Sequence, residues 1–175
     1  YAELGQVLTR EPGLADTPVV AWGHSRSGKA ALLAGAVYPD IAGVIAHQSG
    51  RGGGALTRGT VGETVAQITG EYGYWFTPRY ATYAGREAAI PVDQHQLIAL
   101  AAPKPVLLGA GDRDRWGDPS GSFRAVQGAW PVYQLYGVPP MNQTRLAEPD
   151  LARPLATYMR PGTHGVTTQD WTTFL

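Results

Sequence analysis

The stretch Val19-Val20-Ala21-Trp22-Gly23-His24-Ser25-Arg26-Ser27-Gly28-Lys29-Ala30 constrains this chain more than any other. An apolar run ends in a small residue, a serine follows two positions later, and an Ala- and Leu-rich helix-forming stretch begins at once. That order is the pattern of a nucleophile elbow. Strand turns into helix so sharply that the serine sits on strained backbone with its hydroxyl in a cleft. Side chains two positions before and after the serine must be small, and Gly23 and Ser27 meet that need. The helix N-terminus also aims free backbone N–H groups and positive dipole at the place where an oxyanion would form. A lone Gly-x-Ser is weak evidence in a chain with 23 glycines, so the flanking strand and helix carry the reading.

The rest of the chain alternates in the same way. Pro18 to Trp22, Ile41 to Ala46, Pro105 to Gly109 and Leu155 to Met159 read as buried strands. Helical patterns cover Tyr1 to Thr9, Gly28 to Val37, Asp93 to Ala101 and Ser122 to Leu135, with a helical turn or two over Glu63 to Thr69. An aromatic loop holds Tyr72, Tyr74, Trp75, Phe76, Tyr80 and Tyr83, and Gln48 to Gly54 is a glycine-rich connection. Strands alternating with helices predict an α/β protein with a mostly parallel sheet.

Composition excludes several classes. With 14 basic and 14 acidic residues there is no field to attract nucleic acid or an anionic membrane. There is no cysteine, which removes disulfides, thiolate nucleophiles and zinc–thiolate sites. No apolar run reaches the roughly 18 residues of a membrane span. Neither a metal nor a cofactor is expected. The chain opens at Tyr1 inside an expected helix, and Asp170 to Leu175 reads as the first turns of another. The expectation is therefore a piece of a longer α/β protein.

A serine needs a base within hydrogen-bond reach and a third group to orient that base. Four histidines are available. His24 adjoins the serine, where neighbouring side chains point apart. His47 at a strand end and His95 within Pro91 to Leu100 suit structural roles. His164 sits in a glycine-rich loop after the last strand and before a helix, where the base is expected. For the acid, Asp114 lies three residues after Gly111 in a loop that follows a strand. Asp112 suits a strand-end cap or an arginine pair, and Asp118 before Pro119 suits a helix N-cap. The alternative is that all three serve turns and ion pairs.

Several segments together resemble the glucuronoyl esterases, the fifteenth family of carbohydrate esterases, and the bacterial members most. They are Gly23-His24-Ser25-Arg26-Ser27-Gly28-Lys29, Gln48-Ser49-Gly50-Arg51-Gly52-Gly53, Gly62-Glu63-Thr64, Pro91-Val92-Asp93-Gln94-His95, Asp114-Arg115-Trp116-Gly117-Asp118-Pro119 and Gly162-Thr163-His164-Gly165. The resemblance implies the C-terminal part of an α/β-hydrolase fold: a three-layer sandwich whose N-terminal strands are missing, with residues 1–175 forming one partial catalytic domain. It implies cleavage of the ester between a xylan-borne 4-O-methyl-glucuronic acid and a lignin alcohol, without a cofactor, by a secreted or periplasmic protein that is a monomer at full length. Carried over by position, Ser25 is the nucleophile, His164 the base and Arg26 an oxyanion partner through its backbone N–H and guanidinium. Lys29, Glu63 and Glu71 would reach sugar hydroxyls, and Trp116 would flank the ring. Each has a plainer alternative: surface charge for Lys29 and Glu71, a helix N-terminal charge for Glu63, core packing for Trp116.

Two departures stand out. Fungal members place a catalytic glutamate where this chain has Gln48, which returns the acid to Asp114. Family members often carry cysteine where this chain has His24. The strand at 18–22 should be central in such a fold, so one of its edges would be exposed and the isolated polypeptide unstable or prone to aggregate. The competing readings are an acetyl xylan esterase or other acyl esterase on the same scaffold, and an inactive fragment or binding module.

Overall fold

The computed structural model describes residues 2–8, 10–14 and 17–175. The elements run α1 (Ala2–Leu8), β1 (Val19–His24), α2 (Arg26–Val37), β2 (Ile41–His47), α3 (Val65–Tyr72), α4 (Pro78–Ala81), α5 (Gln94–Leu100), β3 (Val106–Gly111), α6 (Pro119–Leu135), β4 (Leu155–Arg160) and α7 (Thr168–Phe174). Tyr1 and Thr9, the ends of the first expected helix, lie outside the described residues.

The four strands form one sheet in the order β1-β2-β3-β4, and every pairing is parallel. Parallel neighbours need crossover connections, which lay helices on the faces of the sheet. On one face α2, α5 and α6 bury Leu32, Ile98, Val126 and Tyr133 against Val44, Val106 and Leu108. The approach is close at Gly35 of α2, where a Cβ would stand 2.1 Å from Val44 Cγ2. On the other face α7 sets Trp171 4.8 Å from Trp22, ring to ring, and Phe174 edge-on to His47. The result is helix, sheet, helix: the three layers expected. β1 lies at one edge, and its outer side pairs with no described residue.

Element boundaries move where capping chemistry overrides apolar periodicity. α6 begins at Pro119 rather than Ser122, because Asp118 accepts from Gly121 N at 2.8 Å and proline suits the first helical position. α3 begins at Val65, since Thr64 and Gln67 form a capping box. That leaves Glu63 in the preceding loop. α7 begins at Thr168, with Thr167 and Asp170 forming the corresponding box.

Asp170 does more than cap. It is fully buried, and it accepts from Tyr158 Oη at 2.7 Å and from Arg160 Nε at 2.8 Å. One carboxylate thus ties α7 to β4, the strand that leads into the His164 loop. Burial pushes its pKa up, but the bonds from Tyr158, Thr167 and Arg160 outweigh that and hold it at about 2, against an ordinary 3.8. A depressed carboxylate contributes stability that is present above the ordinary value and lost as pH falls toward the folded one. Urea unfolding should therefore show stability falling from about pH 4 to pH 2. Asp170→Asn should be less stable at pH 7 and flatter across that window. An unchanged pH dependence would count against this role.

Candidate active site

Ser25, Asp114 and His164 each stand just beyond the C-terminal end of a strand, where parallel sheets present their ligand sites. Ser25 follows β1 with φ 55° and ψ −122°, a conformation that L-residues avoid. Two features hold it there. Ser25 N continues the ladder to His47 O at 2.8 Å, and Gly23 has no side chain. A Cβ on Gly23 would lie 2.2 Å from Ser27 O, so the turn closes only with glycine there. α2 starts at Arg26, and the N–H groups of its first turn stand beside the serine.

His164 lies in the loop after β4, and its Nδ1 is 2.8 Å from Asp114 Oδ2. The Asp114 side chain is buried at 3% exposure while that of His164 is 45% exposed, so the pair joins a dry carboxylate to an accessible imidazole. Burial pushes the Asp114 pKa up. The bonds from His164 and from Gly117 N outweigh this, leaving it below the ordinary carboxylate value. An ionised carboxylate only accepts, so His164 Nδ1 carries the hydrogen and Nε2 is left as the basic position.

Ser25, Lys29, Glu63, Asp114, Trp116 and His164 line one cleft of about 320 Å³. Tyr72 and Trp75, stacked 4.1 Å apart, form another part of its wall. Lys29 Nζ donates to Ser49 O at 2.5 Å and Arg51 O at 2.7 Å, and burial pushes its pKa down to about 8. Glu63 is half-buried, which raises its pKa against the pull of Lys29 and Arg51. Trp116 is 59% exposed and is therefore no core residue.

Two expected residues are placed differently. Arg26 does not line this cleft: its guanidinium sits 5.2 Å from the Trp75 ring centroid and borders the adjoining cleft. Attraction of a cation to the indole face accounts for that position. Its backbone N–H, at the start of α2, remains beside Ser25. Glu71 is exposed on α3 and is not among the residues lining the cleft.

His47, His95, Asp112 and Asp118 make contacts within the framework. His47 is fully buried in space that Gly109 leaves open, with Nε2 3.1 Å from Gly165 O. His95 packs on Gly128 of α6, where an added Cβ would stand 3.0 Å from the His95 Cβ. Asp112 accepts from Gly162 N at 2.7 Å, and Asp118 caps α6.

Two supports, Arg51 and Arg160, have no assigned role in the sequence, and the contacts of a third, Gln48, are not predicted by it. Arg51 is buried, and its guanidinium donates to the carbonyls of Thr57, Gly59, Val61 and Glu63, which shapes the loop that carries Glu63. Arg160 donates to Gly165 O at 2.7 Å and so ties down the histidine loop. Gln48 Oε1 accepts from Gly165 N at 2.7 Å, and its Nε2 donates to Thr163 O at 3.1 Å. An arginine set within a glycine-rich run was the one signal that could have flagged the first of them.

Comparison with known proteins places the chain in a family. The family described as "Glucuronyl esterase, fungi" matches residues 7–137. A carbohydrate esterase of an unknown prokaryotic organism is 42% identical over 159 residues, which is 90% of this chain and 37% of that protein. A promiscuous family 15 carbohydrate esterase from a marine bacterial metagenome superposes with a TM-score of 0.93 at 38% identity. That match covers 98% of this chain and 44% of the other. A family 15 glucuronoyl esterase from Teredinibacter turnerae gives 0.90 at 36% identity, over 98% of this chain and 42% of that one. The sheet is thus part of an α/β-hydrolase fold, and this chain spans less than half the length of each of these relatives.

An organophosphonate probe is expected to label Ser25 covalently, and His164→Ala should slow labelling on the order of a hundredfold or more. No label at Ser25, or a rate indifferent to His164, would contradict the nucleophile–base pairing.

Proposed function

Since this chain belongs to the glucuronoyl esterases, the fifteenth family of carbohydrate esterases, we propose that it carries the catalytic centre of a serine hydrolase acting on esters of glucuronic acid. The observation that supports this most is the convergence of Ser25 and the His164–Asp114 pair on one cleft, with their bond at 2.8 Å. In this reading Ser25 Oγ attacks the uronate carbonyl while His164 Nε2 takes its proton. Asp114 holds the tautomer and offsets the charge of the imidazolium. The oxyanion is met by backbone N–H groups at the start of α2, that of Arg26 first. His164 returns the proton to the departing alcohol, leaving an acyl-Ser25. Water, deprotonated by the same imidazole, then releases the acid and restores the serine.

The cleft wall suits a sugar acid. Lys29 offers a cation already fixed by two carbonyls, Glu63 an acceptor for hydroxyls, and Trp116 an exposed ring face for the pyranose. Glu71 would join them only if α3 or its own side chain moved toward the cleft. The bond cleaved in nature, in this reading, joins a glucuronoxylan carboxyl to a lignin alcohol, and export from the cell follows from where that polymer lies. Among the described residues no helix is long and apolar enough to cross a membrane.

The likeness to an esterase described as promiscuous favours a second reading, a broader acyl esterase such as one acting on acetylated xylan. Lys29→Ala separates the two. It should raise KM for methyl glucuronate about tenfold or more and leave hydrolysis of an acetylated sugar nearly unchanged. Equal losses on both substrates would favour the broader enzyme.

The acid can be tested separately. Asp114→Asn should lower kcat by roughly 10³–10⁴, because the amide favours the wrong imidazole tautomer. Gln48→Ala should cost far less. Equal losses, or a larger one from Gln48→Ala, would reject Asp114 as the acid.

A further inference from the structure

Beside His164 stands a second imidazole that this mechanism leaves unused. His24, the last residue of β1, has its ring centroid 4.6 Å from that of His164 and tilted by 49°. Its Nε2 lies 3.0 Å from Gln48 Oε1. The Gln48 amide cannot turn over. Its nitrogen donates to Thr163 O and its oxygen accepts from Gly165 N, so a flip would set donor against donor and acceptor against acceptor. A carbonyl oxygen only accepts, hence His24 Nε2 carries the hydrogen and Nδ1 is the bare nitrogen. Gln48 itself is seated by its N–H to Gly109 O at 2.8 Å and by a left-handed φ of 49°. One buried amide therefore joins the end of β1 to the residues on both sides of His164.

We propose that His24 and Gln48 form a single positioning unit for His164, His24 supplying a ring against which the base packs and Gln48 fixing the backbone on either side of it. The unit rests on the assignment of His164 as the base for Ser25. Its two members act through His164 and move no proton themselves. The groups facing His24 are His164 and Asp114 at the cleft, His47 of β2 and Asp170 of α7. Burial holds the His24 pKa below the ordinary imidazole value, so the unit stays uncharged beside a base that must itself become a cation.

Two measurements on the purified protein test it. In ¹⁵N NMR of the histidine side chains, with His24 assigned by the signal lost in His24→Phe, the wild type should show His24 protonated at Nε2. Gln48→Leu should mix the two tautomers. A wild-type His24 protonated at Nδ1 would overturn the proposal. In kinetics with methyl glucuronate, His24→Phe and Gln48→Leu should each lower kcat about tenfold with KM changed less than about twofold. The double variant should be no worse than the poorer single. Multiplicative losses, or a raised KM with kcat intact, would also overturn it. Turnover surviving in Ser25→Ala would instead bring down the functional reading, while leaving the tautomer result standing.

Discussion

Everything in this molecule depends on how closely the backbone folds on itself at Gly23. A methyl group there would overlap the carbonyl of Ser27, and only without it can strand β1 turn into helix α2 within a single residue. That residue is Ser25, held at positive φ by the ladder bond to His47 on one side and by the first turn of α2 on the other. The strain is local, and the packing of α2 against β1 and β2 sustains it. Gly28 and Gly35 continue the requirement along the helix, where added Cβ atoms would meet Ser49 and Val44. From this one contact follow the place of Ser25 in the cleft wall and the helix N-terminus beside it.

The loops that complete the site are held differently. They lie at the ends of β2, β3 and β4 and contain little apolar side chain, so hydrophobic burial cannot order them. Buried polar groups do so instead. Arg51 gathers four carbonyls, Asp93 accepts from Thr57 N and Arg58 N, Gln48 spans the residues flanking His164, and Arg160 with Asp170 anchors the far side of that loop. Such groups are costly when unpaired, and satisfied networks of this kind specify one arrangement. Lys29 is held in the same way, since its bonds to Ser49 O and Arg51 O fix the ammonium at the cleft wall.

What could be read from the sequence follows from how far apart the interacting residues lie. The elbow is a short-range pattern, and the four strands and most helices follow from apolar runs and their period. The meeting of His164 with Asp114 was legible because both lie in strand-end loops at the same end of the sheet. Helix starts at Pro119, Val65 and Thr168 slipped by two or three residues because side-chain caps, not periodicity, set them. The Gln48 clamp was legible only in part: the residue stood out by its position, but its bond to Gly165 spans 117 positions and no local pattern names that partner. Arg26 shows the converse limit. Its position in the motif suggested an oxyanion partner, yet the guanidinium lies over Trp75, a neighbour supplied by the aromatic loop fifty positions on.

The central claim is that turnover passes through an ester formed on Ser25. Mass spectrometry of the protein quenched during hydrolysis of a glucuronate ester tests this directly. The account predicts a Ser25-containing peptide heavier by one glucuronoyl group, appearing with substrate and decaying as the acid is released. Product formed at full rate with no acylated peptide, or with the acyl group on another residue, would contradict it.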